Sequence, residues 1–139
     1  MRNCLIALML SSTVLCAQQA ATPNPCNEAP SQLQMDRCAD YKFKLADARL
    51  KRVYEKLMQL MISHEDAPES EYHKKTIQAL KGSEATWLSY RDIQCKAAGQ
   101  LYEGGSMAPM IYSQCLETIT TQRVEALKSI YEEGEWKLE

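Results

Sequence analysis

The sequence predicts an all-α protein: an antiparallel three-helix bundle, a helical hairpin plus a third helix, stapled by two disulfide bonds. Three observations predict this class. Apolar residues recur at alternating three- and four-residue steps over long stretches. No stretch shows strand-like alternation bounded by turn residues. The four cysteines after residue 17 are an even number. At 139 residues, the chain is long enough to bury one core.

The first 17 residues are predicted to be a signal peptide that is removed. Arg2 supplies its positive charge, an apolar run extends from Leu5 to Leu15, and small residues follow. The run is too short to span a bilayer. Cys16 stands where a lipid-modified cysteine would stand, but the bulky Leu15 before it disfavours a lipobox. We therefore expect a periplasmic or secreted protein without a lipid anchor, and without a transmembrane segment in its mature form.

Residues 18–30 are expected to form an extended N-terminal tether. This segment contains Pro23, Pro25 and Pro30 and shows no apolar periodicity. Cys26 lies within it and would staple it to the remainder of the chain. The helical domain is then predicted to cover residues 31–139.

The first helix is predicted to begin at Ser31 and to end near Ser63. Ser31 and Gln34 have the spacing of a capping box, and a polar loop that contains Pro68 follows the helix. An apolar stripe runs along one face of the helix for more than four turns. It consists of Phe43, Ala46, Leu50, Val53, Leu57 and Leu60.

The second and third helices are predicted over about residues 70–98 and from the break at 103–106 to about residue 133. Ser106 is the expected N-cap of the third helix, with Pro109 in its first turn. The inner face of the second helix is predicted to contain Ile77, Leu80, Glu84, Trp87, Leu88, Arg91 and Cys95. That of the third is predicted to contain Ile111, Cys115, Ile119, Ala126 and Ile130, with Tyr112, Leu116, Arg123 and Leu127 beside them.

The helix lengths also predict which charged residues lie at the same level. A rise of 1.5 Å per residue places Asp47 and Arg123 both roughly 25 Å along the bundle, and Glu84 at roughly 21 Å. We therefore predict an ion pair between Asp47 and Arg123 that Glu84 could share.

The cysteines of the mature chain are predicted to form two disulfide bonds. A zinc site is disfavoured because no pair has C-x2-C spacing and both histidines lie far along the chain from the cysteines. All three pairings are open, and we favour the one with the shorter loops. It joins Cys26 to Cys38 and Cys95 to Cys115.

No catalytic constellation is present, so we expect a protein that is not an enzyme and that uses no metal or cofactor. The carboxylate runs, such as Glu132-Glu133, have the character of solvated faces. Loss of residues 1–17 takes one basic residue and no acidic one from 16 basic and 18 acidic residues, which leaves a formal charge of −3. Nothing in this balance attracts nucleic acid.

The block from Trp87 to Cys95 is the most distinctive stretch. We favour Trp87 and Tyr90 as core residues, with an exposed recognition patch as the alternative. Arg91 and Asp92 are expected to form salt bridges to neighbouring helices. These assignments make the block structural.

The loop Glu103-Gly104-Gly105-Ser106 is the candidate partner-binding segment. A glycine turn needs no function. A glycine-flanked helix N-terminus nevertheless offers free amide donors and a positive dipole to an anionic group. The sequence leaves both interpretations open.

The ordered motifs of the mature chain resemble those of the lysozyme inhibitor LprI type of secreted bacterial proteins. They are Cys26, Cys38, Asp47-x2-Leu50-x3-Tyr54, Trp87-x2-Tyr90-Arg91-Asp92-x2-Cys95, Gly104-Gly105-Ser106, Cys115 and Arg123. Lys51 departs from this resemblance, because similar proteins commonly have asparagine there.

The resemblance implies an exported, helical, disulfide-bonded protein that binds and inhibits lysozyme. The alternative is a non-enzymatic structural or protein-interaction module of the cell envelope, without lysozyme activity. An unchanged lysozyme turnover would favour the module. A deep pocket with convergent titratable groups would instead indicate an enzyme.

Overall fold

The computed structural model describes residues 24–28, 30–63 and 71–133, which form three long helices. Helix α1 spans Gln32–Ser63, α2 spans Glu71–Gln100 and α3 spans Ala108–Glu133, and no strand occurs in these ranges. The all-α prediction is confirmed. The predicted signal peptide, Cys16, residues 18–23 of the tether, the loop with Pro68 and residues 134–139 lie outside the described residues.

The helix boundaries agree with the predicted signals, with two local differences. Ser31 Oγ accepts from the Gln34 N–H at 3.2 Å, which caps α1. The reciprocal half of the capping box is missing, since Gln34 Oε1 is buried without a hydrogen-bond partner. The predicted N-cap Ser106 is wrong by one residue: the Met107 C=O accepts from the Ile111 N–H at 3.0 Å, so Met107 is the N-cap of α3.

Helix α3 lies against both other helices, parallel to α1 and antiparallel to α2. Arg49 of α1 meets Glu125 of α3 at 3.2 Å. Near the other end of α3, Gly99 of α2 lies beside Tyr112, where an added Cβ would stand 3.3 Å from the Tyr112 Cβ. The backbones of α2 and α3 therefore come close together at Gly99, where α2 has no side chain.

The apolar core lies in the half of the bundle away from the α2–α3 loop. Its buried members come from all three helices: Leu50, Leu57, Leu80, Val124 and Leu127. Full burial of each such side chain contributes about 1.5–3 kcal/mol relative to exposure. Trp87 packs against this cluster from α2.

The inner face of α3 differs from the predicted one. The buried line consists of Leu116, Thr120, Val124 and Leu127, whereas Ala126 and Ile130 are exposed. The buried side of α3 is rotated relative to the predicted one because α3 packs between two helices. Thr120 lies at its centre, and a search for apolar residues overlooks this polar side chain. On α2, Leu88 is 37% exposed, so its predicted inward position is also wrong.

Two disulfide bonds tie the ends of the helices together, in the pairing that the shorter loops favoured. Cys26–Cys38 joins a short 3-10 turn at Pro25–Asn27 to α1, and Cys95–Cys115 joins the last turns of α2 to the first turns of α3. The second bond therefore fixes the two helices that flank the candidate loop. Among the described residues, no helix is both long and apolar enough to cross a membrane.

Candidate functional site

Arg91 joins α1, α2 and α3 near the middle of the bundle. Its Nη1 donates to Asp47 Oδ1 at 2.8 Å and to Thr120 Oγ1 at 3.5 Å, and its Nε donates to Asp92 Oδ1 at 2.9 Å. The Arg91 side chain is 9% exposed, whereas those of Asp47 and Asp92 are 49% and 57% exposed. A buried cation therefore holds two half-exposed carboxylates through charge-assisted hydrogen bonds.

Arg123 forms the second charged contact, with Glu84. Its Nε and Nη2 lie 3.0 and 2.9 Å from Glu84 Oε2, and Nη2 also donates to Ser83 Oγ at 3.3 Å. Both charged side chains are largely buried, at 16% and 10% exposure. Along α2, Glu84 lies seven residues, about two turns, from Arg91 in the direction of the apolar core.

The predicted ion pair between Asp47 and Arg123 is wrong, and the predicted contact of Arg123 with Glu84 is present. Helix rise placed the three residues at similar levels but said nothing about the direction in which each side chain points around its helix. Asp47 faces α2, where Arg91 reaches it, and Arg123 also faces α2, where it meets Glu84. Arg91 and Asp92 are both predicted to form salt bridges to neighbouring helices, but only Arg91 does so. Asp92 pairs with the adjacent Arg91 on the same helix.

Trp87 lies beside both guanidinium groups. The Cζ atoms of Arg91 and Arg123 are 5.4 and 5.6 Å from the Trp87 ring centroid, and Arg91 Cζ is also 5.3 Å from the centroid of Phe43. Such cation–π contacts contribute about 0.5–2 kcal/mol each, with the larger values at desolvated sites. Trp87 therefore supports both charged contacts as well as the core. Phe43 was predicted as part of the apolar stripe of α1, but the stripe did not reveal its contact with Arg91.

The phenol of Tyr54, on α1, has a pKa that is shifted by its surroundings, which include Glu84 of α2. Burial raises the pKa of its phenol above the ordinary value, and the negative charge of Glu84 raises it further. The phenol therefore stays neutral across the physiological range.

The side chains around Arg91 and Arg123, together with Trp87, form a central cluster that connects the three helices. Each of its carboxylates and guanidinium groups has a partner of opposite charge. Within the described ranges, no three His, Cys, Asp or Glu side chains are arranged to hold a metal ion. The arrangement fixes how the three helices sit against each other.

Tyr90 does not lie in the core, where it was predicted to lie together with Trp87. Trp87 is half-buried, but Tyr90 is 55% exposed on the outer side of α2, so its predicted core position is wrong. It borders a shallow hollow of about 220 Å³ between α2 and α3. Tyr90 is therefore the exposed member of the two, and a recognition role for it stays a prediction.

The loop between α2 and α3 is exposed at every residue from 101 to 107 and is held by its own backbone. The Glu103 N–H donates to the Gln100 C=O at 3.1 Å, and the Gly105 N–H donates to the Tyr102 C=O at 3.0 Å. Gly104 has φ +80°, a conformation that favours glycine. The loop is thus a defined pair of tight turns.

Only part of the loop backbone is available to a partner. The amides of Glu103 and Gly105 are used internally, whereas those of Gly104, Ser106 and Met107 donate to no atom of the described residues. Three free amides beside the N-terminus of α3 offer hydrogen bonds to an anionic group. The number of donors is smaller than the sequence alone implied.

The structure does not bring the candidate loop and the central cluster together. Nine helical residues separate Arg91 from the end of α2, which is about 14 Å of helix. The Cys95–Cys115 bond lies between them. The central cluster holds the helices, and the loop forms the exposed tip of the bundle.

A third feature is a groove of about 460 Å³ between the N-terminal 3-10 turn, α1 and α3. Met35 and Met110 supply apolar walls, and Lys42 and Glu117 supply opposite charges. No sequence signal indicates this groove, because its shape depends on where the Cys26–Cys38 bond places the turn.

Together, these features define a class of small helical protein with two disulfide bonds, a charged cluster between its helices and a constrained, exposed loop at one end. The chain belongs to the lysozyme inhibitor LprI family, whose model, described as "Lysozyme inhibitor LprI", matches residues 24–127. The resemblance seen in the motifs is thereby confirmed.

The chain is also similar to an uncharacterized protein of Rhizobium meliloti (strain 1021). The two are 34% identical over 136 residues, and the match covers 94% of each chain. No solved structure gives a significant match.

Proposed function

We propose that this protein is an exported, non-enzymatic inhibitor that binds a lysozyme through the loop Glu103-Gly104-Gly105-Ser106. Membership of the lysozyme inhibitor LprI family is the observation that carries this proposal. Removal of residues 1–17 on export would deliver the mature chain to the periplasm or the exterior, where the disulfides are stable.

The shape of the tip supports contact with an open cleft. Lysozymes of the common host type are basic and act through a pair of carboxyl groups in such a cleft. The loop protrudes at the end of two helices that the Cys95–Cys115 bond holds together, so it loses little conformational freedom when it binds. The free amides of Gly104 and Ser106 would face the carboxyl groups of the enzyme.

Electrostatic attraction supplies the second part of the mechanism. A mature chain with a formal charge of −3, from 15 basic and 18 acidic residues, is attracted to a basic enzyme. This attraction weakens as salt screens it. Inhibition should therefore be stronger at low ionic strength.

The test is lysozyme turnover with purified, oxidised mature protein in low salt. We expect inhibition by the natural chain and a loss of inhibition in Gly104→Ala, because alanine is strained at φ +80° and the turn must change shape. Gly82→Ala is the matched control, since an added Cβ there meets nothing within 4 Å.

The outcomes separate the candidate functions. Unchanged turnover at a tenfold excess of protein would contradict inhibition and favour the envelope module. Equal inhibition by the natural chain, Gly104→Ala and Gly82→Ala would retain inhibition but exclude the loop as its site.

A further inference from the structure

The outer face of α2 carries an apolar stripe that no described part of the chain covers. It consists of Tyr90, Ile93, Ala97 and Leu101, at steps of three, four and four residues, which places them along one side of a helix. Tyr90, Ile93 and Leu101 are 55%, 71% and 84% exposed, and Ala97 is also exposed. The Leu101 N–H donates to the Ala97 C=O at 3.3 Å, so the stripe follows the helical path to its end.

This stripe is uncharged in a chain where charged residues make up 24%. The positions that flank it, Thr86, Gln94 and Gln100, are also uncharged. At 3.6 residues per turn, Asp92 and Lys96 project roughly 90° or more away from the centre of the stripe. A face without charge can meet an identical face without like-charge repulsion, which an isologous contact requires.

We propose that this stripe is a self-association surface on which α2 packs antiparallel against α2 of a second copy. A strongly basic partner such as lysozyme would instead be matched by carboxylates, and the stripe has none. The observation therefore favours a second copy of the same chain as the occupant.

The spacing of the stripe fits a two-fold axis that passes near its midpoint, between Gln94 and Lys96. That axis places the bulky Ile93 of each copy against the small Ala97 of the other, so a large side chain meets a small one at the centre. It also places Tyr90 against Leu101 of the second copy at both ends, about 16 Å apart along the helix.

The hollow beside Tyr90 offers a place for that leucine. Its volume is about 220 Å³, and Ile119, Gln122 and Ala126 of α3 form the wall opposite Tyr90. Arg123 borders the hollow but is paired with Glu84, so no unpaired charge would be buried there. Leu101, the most exposed of the large apolar side chains in the described ranges, would then be covered in the hollow of the second copy.

The experiment is sedimentation equilibrium of the oxidised mature chain without lysozyme, from micromolar to millimolar concentration. We expect a reversible dimer. Ile93→Asp should raise its dissociation constant by more than about a hundredfold, because two uncompensated carboxylates would be buried. Leu45→Asp is the matched control, since Leu45 is 53% exposed in the interior of α1 and should leave the dimer intact.

Charge complementation tests the antiparallel register. Ala97→Lys should also dissociate the dimer. An equimolar mixture of the Ile93→Asp and Ala97→Lys chains should form a heterodimer in which the introduced carboxylate of one chain meets the introduced ammonium group of the other. Recovery of the dimer only in the mixture supports this register.

Three results would overturn the proposal. A monomer at every concentration would do so, as would a dimer that Ile93→Asp leaves unchanged. If the natural chain is a monomer and Ile93→Asp abolishes its inhibition of lysozyme, then the stripe binds the enzyme and not a second copy. The proposed lysozyme contact fails separately, in the turnover assay with Gly104→Ala.

Discussion

Removal of Arg123 should destabilise the fold far more than removal of the Asp47 charge, although each change breaks one inter-helix salt bridge. The difference lies in what remains. Arg123→Leu leaves Glu84, at 10% side-chain exposure, without its cation. Breaking a buried pair in this way costs about 3–5 kcal/mol. Loss of the contact with Trp87 adds about 0.5–1 kcal/mol.

Asp47→Asn leaves a smaller deficit. Arg91 keeps its bond to Asp92 at 2.9 Å, and Asp47 is 49% exposed, so water already competes for its carboxylate. We expect a loss of about 1 kcal/mol, near the upper range for exposed pairs.

Urea unfolding of the oxidised protein at pH 7 measures both effects. With a urea slope of about 2 kcal/mol per molar, Arg123→Leu should lower the unfolding midpoint by about 2–3 M and Asp47→Asn by about 0.5 M. The double variant Glu84→Leu with Arg123→Leu should recover much of the loss, because no buried charge is then left unpaired. Equal shifts for the two single variants would contradict the predicted difference between the two salt bridges, and so would a double variant as unstable as the sum of its singles.

Three further predictions concern Tyr54 and the glycines of α2. Because the folded-state pKa of Tyr54 is raised above its ordinary value of 10.0, the unfolded chain loses this proton first as pH rises, so stability should fall above about pH 10. Tyr54→Phe should reduce that alkaline loss in urea unfolding measured from pH 8 to pH 11. Gly82→Ala should raise stability by about 0.5–1 kcal/mol, since alanine favours helix and nothing blocks its Cβ. Gly99→Ala should lower the thermal midpoint, because its Cβ would press on Tyr112 at 3.3 Å and separate α2 from α3.

The sequence predicted those parts of the fold that local chemistry determines. The cap at Ser31 and the glycine break after α2 placed the helix ends within a few residues, and short loops indicated both disulfides. These signals act between neighbours along the chain, so their effect does not depend on how the helices pack.

The contacts between helices were predicted less well, since periodicity gives a level and a face but no partner. Asp47 and Arg123 share a level, yet each pairs with a residue of α2. Thr120 was missed because a buried hydroxyl looks polar in the sequence, although it lies on the line of Leu116 and Val124. Tyr90 was assigned to the core with Trp87, but three residues of helix turn it outward.

For the candidate site, the sequence identified the loop but not its available donors. Which amides remain free depends on the turn hydrogen bonds of Glu103 and Gly105. Residue types alone do not reveal these bonds.

Amide hydrogen exchange of the mature protein with and without lysozyme tests the proposed contact most directly. If the loop binds the enzyme, exchange should slow across residues 101–107 when lysozyme is added. A chito-oligosaccharide that fills the enzyme's cleft should restore the exchange rate that is measured without lysozyme. Unchanged exchange across residues 101–107 at saturating lysozyme would contradict the claim that this loop binds the enzyme.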